Sequence, residues 1–78
     1  MASVTVRYFA GAQRAAGRES EQIEAATLED LRETLAARPD FAAVCKASSF
    51  LVDGQLTGDN TTLRDGATVD VLPPFAGG

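Results

Sequence analysis

Histidine is absent from this chain of 78 residues, and cysteine occurs once, at Cys45. The first absence removes Ser-His-Asp and Cys-His nucleophile arrangements and most zinc sites. The second excludes an internal disulfide and any cysteine metal cluster. A lone thiol suits a reducing compartment and reads as a small buried apolar residue rather than a nucleophile. Apolar runs of membrane-spanning length are also missing, and the first residues carry no signal-peptide pattern. The expectation is a cytoplasmic protein with no membrane partner. Basic residues are scarce: seven against eleven acidic ones give a net charge of -4. That balance argues against nucleic acid as a partner. Repeats, linkers and low-complexity segments are absent as well. A chain this short is one domain burying only about 60% of its unfolded surface, with no room for both a core and a deep pocket of its own.

What is present alternates. Ser3 to Phe9 predicts a strand with Val4, Val6 and Tyr8 inward and Thr5, Arg7 and Phe9 outward. Phe9 is an aromatic on the polar side, and it either stays there or folds inward at the strand end. Ala10 to Ala16 predicts a short helix closed by Gly17. Glu19 to Glu24 reads as an edge strand whose charges discourage edge-to-edge pairing. Thr27-Leu28-Glu29-Asp30 is a variant capping box opening the main helix, with both acids favourable at the positive end of the dipole. Leu28, Leu31 and Leu35 form one apolar stripe, with Arg32, Glu33 and Arg38 facing away. Pro39 stops this helix at Arg38 or just before. Phe41, Val44 and Cys45 have helical spacing, which allows a further short helix between Asp40 and Ala47. Phe50 to Val52 and Gln55 to Thr57 are strands joined by Asp53-Gly54, a two-residue hairpin signal. Asp65-Gly66 marks a second turn before the last strand, Thr68 to Leu72, with Val69 and Val71 on one face and Asp70 and Leu72 on the other. The order predicts an α+β fold, one main helix on a small mixed sheet.

The last strand runs into Pro73-Pro74, which a ladder does not tolerate. Phe75-Ala76-Gly77-Gly78 follow. A Gly-Gly pair has no Cβ and fits a slot that excludes other dipeptides. The reactive group there is the carboxylate of Gly78. The expected organisation is a domain over residues 1–72 and a flexible tail over 73–78.

Three stretches resemble the ubiquitin-like β-grasp sulfur carriers, and among them the small subunits of molybdopterin synthases. They are Val4-Thr5-Val6-Arg7-Tyr8-Phe9-Ala10 with Arg14-Ala15-Ala16-Gly17, then Phe50-Leu51-Val52-Asp53-Gly54, then Leu63 through Gly78. The resemblance implies a ubiquitin-like β-grasp fold with an extended Gly-Gly tail. It implies that Gly78 is adenylated with ATP by an activating enzyme related to those of ubiquitin, then thiocarboxylated by a sulfur donor. Gly77 would let the tail enter the active site of the large synthase subunit, where sulfur passes to the pterin precursor. It implies docking through Phe9, Leu56 and Leu72, joined by Phe75 of the tail. The chain itself would bind no cofactor and would be a non-catalytic subunit. Gln13 stands where the first helix of these carriers often has arginine. The alternatives are a carrier for thiamine thiazole or cysteine synthesis, a protein modifier, or a β-grasp interaction module.

Overall fold

The computed structural model describes residues 1–74. The elements are β1 (Ala2–Tyr8), α1 (Gly11–Ala16), β2 (Ser20–Ala25), α2 (Leu28–Ala36), α3 (Ala42–Ala47), β3 (Ser49–Val52), β4 (Gln55–Leu56) and β5 (Thr68–Leu72). The strands form one mixed sheet in the order β2-β1-β5-β3-β4. β1 pairs with β2 antiparallel and with β5 parallel, so the last strand of the sequence lies at the centre of the sheet. β3 pairs antiparallel with both β5 and β4. The sheet carries the predicted alternation: Val4, Val6, Tyr8, Val69, Val71, Phe50 and Val52 lie in the core. Burying each such side chain contributes about 1.5–3 kcal/mol relative to exposure.

α2 covers this inner face through the fully buried Leu28, Leu31 and Leu35. Thr27 caps it as expected: its Oγ1 accepts the Asp30 N–H at 3.2 Å. The helix stops at Ala36, slightly before the predicted end, because Pro39 bars Arg38 from the helical region. A complete α3 then follows. It is held by Phe41, whose buried ring meets Tyr8 edge-on at 5.4 Å. Cys45 is buried in α3, and its thiol approaches the Arg32 carbonyl at 3.6 Å. Burial pushes this thiol up from its ordinary pKa.

Both predicted turns form. Asp53 and Gly54 have φ of 50° and 84°, the positive pair that the tight hairpin requires. The Asp53 side chain also accepts the Thr68 N–H at 2.9 Å, fastening the hairpin to the central strand. Asp65 accepts the Ser3 N–H at 2.8 Å, and Gly66 donates to the Ser3 carbonyl at 2.9 Å. β4 is shorter than expected and ends at Leu56.

One expectation is corrected. Arg32 and Arg38 do not face away. Arg32 lies over the Phe50 ring at 4.8 Å and 3.7 Å from Asp59. Arg38, just past the helix, folds back onto Glu21 with two bonds of 2.7 and 3.0 Å. Helical periodicity assigns a direction to Cβ only; a long guanidinium arm can run back along the apolar surface to a carboxylate. Glu21 also accepts from the Tyr8 hydroxyl at 2.6 Å. Arg38 holds the Glu21 carboxyl below the usual range, while burial and then Glu21 push the Tyr8 phenol up. This cluster fastens the edge strand β2 to the end of the helical layer.

Candidate functional site: the open face of the sheet

The helices cover one face of the sheet, and strand alternation builds the other. Register places a row across four strands: Arg7 of β1 opposite Asp70 of β5, Asp70 opposite Leu51 of β3, and Leu51 opposite Leu56 of β4. A second row lies nearer the end of β5. Leu72 is opposite Ser49, and Phe9 follows β1 with its N–H bonded to the Val71 carbonyl at 3.2 Å. Leu56 is 74% exposed, whereas Phe9, Leu51 and Leu72 are half-buried. A solvated leucine beside three partly covered apolar side chains is an apolar surface that the fold itself does not use.

The Arg7–Asp70 pair crosses this surface. Arg7 donates from Nε to Asp70 Oδ1 at 2.7 Å and from Nη2 to Oδ2 at 2.9 Å. Asp70 is buried, and the Arg7 side chain is half-exposed. The guanidinium also lies 5.6 Å from the centre of the Phe9 ring. Hydrogen bonding to Asp70 raises the Arg7 pKa further above its ordinary value. These two charges already satisfy each other, so the surface is equipped to bind rather than to move protons.

Three of the sequence-derived positions therefore fall on this face. Leu72 and Leu56 occupy it outright. Phe9 lies at its end beside Leu72, half-covered by Arg7. Phe75, Gly77 and Gly78 lie outside the described residues. The strand that leads to them is central, and it delivers Pro73 buried and Pro74 exposed at the margin of this face. Sequence reasoning missed Leu51 and the Arg7–Asp70 pair. Leu51 could have been found, since it sits between two inward residues and the Asp53-Gly54 hairpin sets it opposite Leu56. The ion pair needed the parallel β1–β5 register, which no local pattern encodes. At the first helix, Gln13 makes no ion pair; its amide donates to the Tyr8 carbonyl at 3.3 Å.

On the opposite side, α2 and α3 flank an open groove of about 370 Å³ floored by Cys45 and Ala42 and edged by Arg32 and Lys46. Among the described residues no helix is long and apolar enough to cross a membrane.

A small mixed sheet with a central last strand, helices on one face and an apolar open face defines a ubiquitin-like β-grasp fold. Residues 6–78 match the model of the ThiS family, and the chain belongs to that family. Its fold is shared with a Pyrococcus furiosus protein whose proposed identity is subunit 1 of molybdopterin converting factor. The two are 26% identical with a TM-score of 0.82, covering 95% of this chain and 99% of the other. A Helicobacter pylori chain, from a complex of subunits 1 and 2 of molybdopterin-converting factor, is 28% identical with a TM-score of 0.78, covering 97% and 99%. The small archaeal modifier protein 1 of Methanosarcina acetivorans is 24% identical with a TM-score of 0.82 over 100% and 98% of the two chains, a likeness of fold alone. No curated protein matches.

Proposed function

We propose that this chain is the sulfur-carrier subunit of a molybdopterin synthase. Residues 1–72 form the carrier domain and 73–78 the tail. In this reading the Gly78 carboxylate attacks the α-phosphate of ATP inside an activating enzyme, giving a glycyl adenylate and pyrophosphate. A sulfur nucleophile from a donor then displaces AMP and leaves a thiocarboxylate. The adenylate step is needed because a carboxylate is a poor electrophile without a leaving group. The tail, narrowed by Gly77, then enters the large synthase subunit and passes sulfur to the pterin precursor. Phe9, Leu51, Leu56 and Leu72 dock the carrier, and Phe75 joins them where the tail begins. ATP belongs to the activating enzyme, and the carrier supplies no catalytic side chain.

The observation that carries this reading is the position of β5. The strand bearing the tail is held between β1 and β3, and its outward residues belong to the apolar open face. Docking of that face therefore fixes where the tail starts. The likeness to the Helicobacter pylori chain, which is paired with a second subunit, supports a large-subunit partner.

The test is the intact mass of the protein, ending at Gly78, after incubation with ATP, activating enzyme and sulfur donor. The expected change is one oxygen exchanged for sulfur at Gly78. No exchange with activating enzymes that work on their own carriers would overturn the reading. Transfer from the thiocarboxylate to the pterin precursor, but not to a thiazole or cysteine precursor, completes the assignment.

A further inference from the structure

The Arg7–Asp70 pair poses a question that docking alone leaves unanswered. An arginine guanidinium has five N–H donors, and here two are spent on Asp70. Both lie on the Nε/Nη2 side, so among the described residues the Nη1/Nη2 side keeps a free fork. Arg7 lies in the same cross-strand row as Leu51 and Leu56, with Phe9 beneath its guanidinium. Covering this face with a purely apolar partner would strand the remaining donors away from water. Unpaired donors of a buried charge are costly. The guanidinium is also held before any partner arrives, because a buried carboxylate grips one side and an aromatic ring supports it. Little rotamer entropy remains to be lost on contact, which is the condition under which an arginine becomes an anchor of an interface.

We propose that Arg7, positioned by Asp70 and Phe9, is a specificity anchor of the open face, and that the partner covering this face presents a carboxylate to its free fork. This rests on the carrier reading above and deepens it by stating what the partner surface must carry. A carboxylate is the group whose two oxygens match the guanidinium fork in geometry and charge. Asp70 plays the supporting part: it neutralises Arg7 within the free chain and aims it outward. The partner is thus a protein surface with an apolar hollow for Leu51, Leu56 and Leu72 and one acidic side chain beside it.

The test measures binding of the large molybdopterin synthase subunit from the same organism by titration calorimetry, together with melting and sedimentation of each carrier variant. The variant Arg7→Met with Asp70→Asn removes the fork and leaves no unpaired charge. If the open face is only apolar, this variant binds as well as the native chain or better. If Arg7 anchors a carboxylate, binding falls about ten-fold or more while the variant still melts cooperatively. Arg7→Lys provides a second arm, since it keeps the charge and loses the planar forks. Its expected binding loss is several-fold, and native-like affinity would overturn the proposal even if the double variant failed to fold. Leu56→Asp separates the two levels. If native protein does not bind, or Leu56→Asp binds like native, the docking reading itself fails and the anchor fails with it. A concentration-dependent dimer of the native chain alone, abolished by Arg7→Met with Asp70→Asn, would place a second copy on this face and also overturn the proposal.

Discussion

Replacing Leu56 with alanine separates a residue kept for the fold from one kept for a partner. In the free chain Leu56 is 74% exposed and faces its cross-strand neighbour Leu51 on an edge strand of two residues. Little apolar area is withdrawn from water there, so truncation should change stability by no more than about 0.5 kcal/mol. In a complex that covers the open face, the same side chain would be buried. Full burial of a leucine is worth about 1.5–3 kcal/mol, and alanine forfeits most of it. A loss of about 1–2 kcal/mol corresponds to about a 5- to 30-fold weaker complex. The comparison variant is Leu31→Ala, on the buried helix stripe. It should cost about 2–5 kcal/mol of folding stability through the cavity it leaves. Denaturant unfolding and calorimetric titration against the large subunit measure both quantities for both variants. Native affinity of Leu56→Ala, or a loss of free-chain stability as large as that of Leu31→Ala, would refute a docking role for Leu56. Leu51 is the cross-strand partner of Leu56, so the Leu51→Ala, Leu56→Ala pair should be non-additive in binding.

One extra residue after Gly78 should abolish thiocarboxylate formation while leaving the melting curve native; intact mass and circular dichroism check this together. Glu21→Gln should destabilise the fold by about 1–2 kcal/mol, because it replaces a charge-assisted pair to Arg38. Glu21 also fixes a pH dependence. Its carboxyl pKa is lowered in the fold, chiefly by the Arg38 hydrogen bonds, so its stabilisation is complete above the ordinary carboxyl value and is lost as pH falls through the folded value. Denaturant melts in acid should therefore lose stability more steeply for the native chain than for Glu21→Gln, and parallel curves would refute this. Ala10 precedes α1 at φ 50° and ψ -129°, a positive-φ conformation unfavourable to any residue with a Cβ. Ala10→Gly should raise stability by up to about 1 kcal/mol in urea titration.

The order and type of the main elements were legible because they depend on local rules. Alternation of Val4, Val6 and Tyr8 marks a strand, three leucines at helical spacing mark α2, and Asp53-Gly54 meets the φ demands of its turn. The open face was legible for the same reason read in reverse: Leu56 and Leu72 are apolar residues where alternation calls for polar ones. What could not be read depends on distant pairing. Arg7 and Asp70 are 63 positions apart, and only the parallel register of β1 and β5 makes them neighbours. Arg38 and Glu21 meet because a chain segment beyond the helix turns back over the sheet edge, which periodicity does not encode. Leu51 apart, each missed feature is a charged pair between elements, and each predicted feature is a backbone or apolar preference within one.

The central place of β5 would tie the proposed chemistry to the integrity of the whole fold. A tail carried by an edge strand could be presented by a partly folded chain. Here the strand before the tail obtains its hydrogen bonds from β1, at the start of the sequence, and from β3, set in place by the Asp53-Gly54 hairpin. Thr68 is bonded to Asp53 and Thr5 to the Ala67 carbonyl, so both flanks close onto the same strand. Pairing residues so far apart is among the slower steps of folding, since loop-closure entropy must be overcome before the contacts form. The open face needs the same event, because Arg7, Asp70 and Leu51 share a row only when all three strands are paired. Docking surface and tail origin thus arise together. An activating enzyme that recognises the open face would thereby select folded carriers, and the Gly78 carboxylate would be activated only on chains already able to dock.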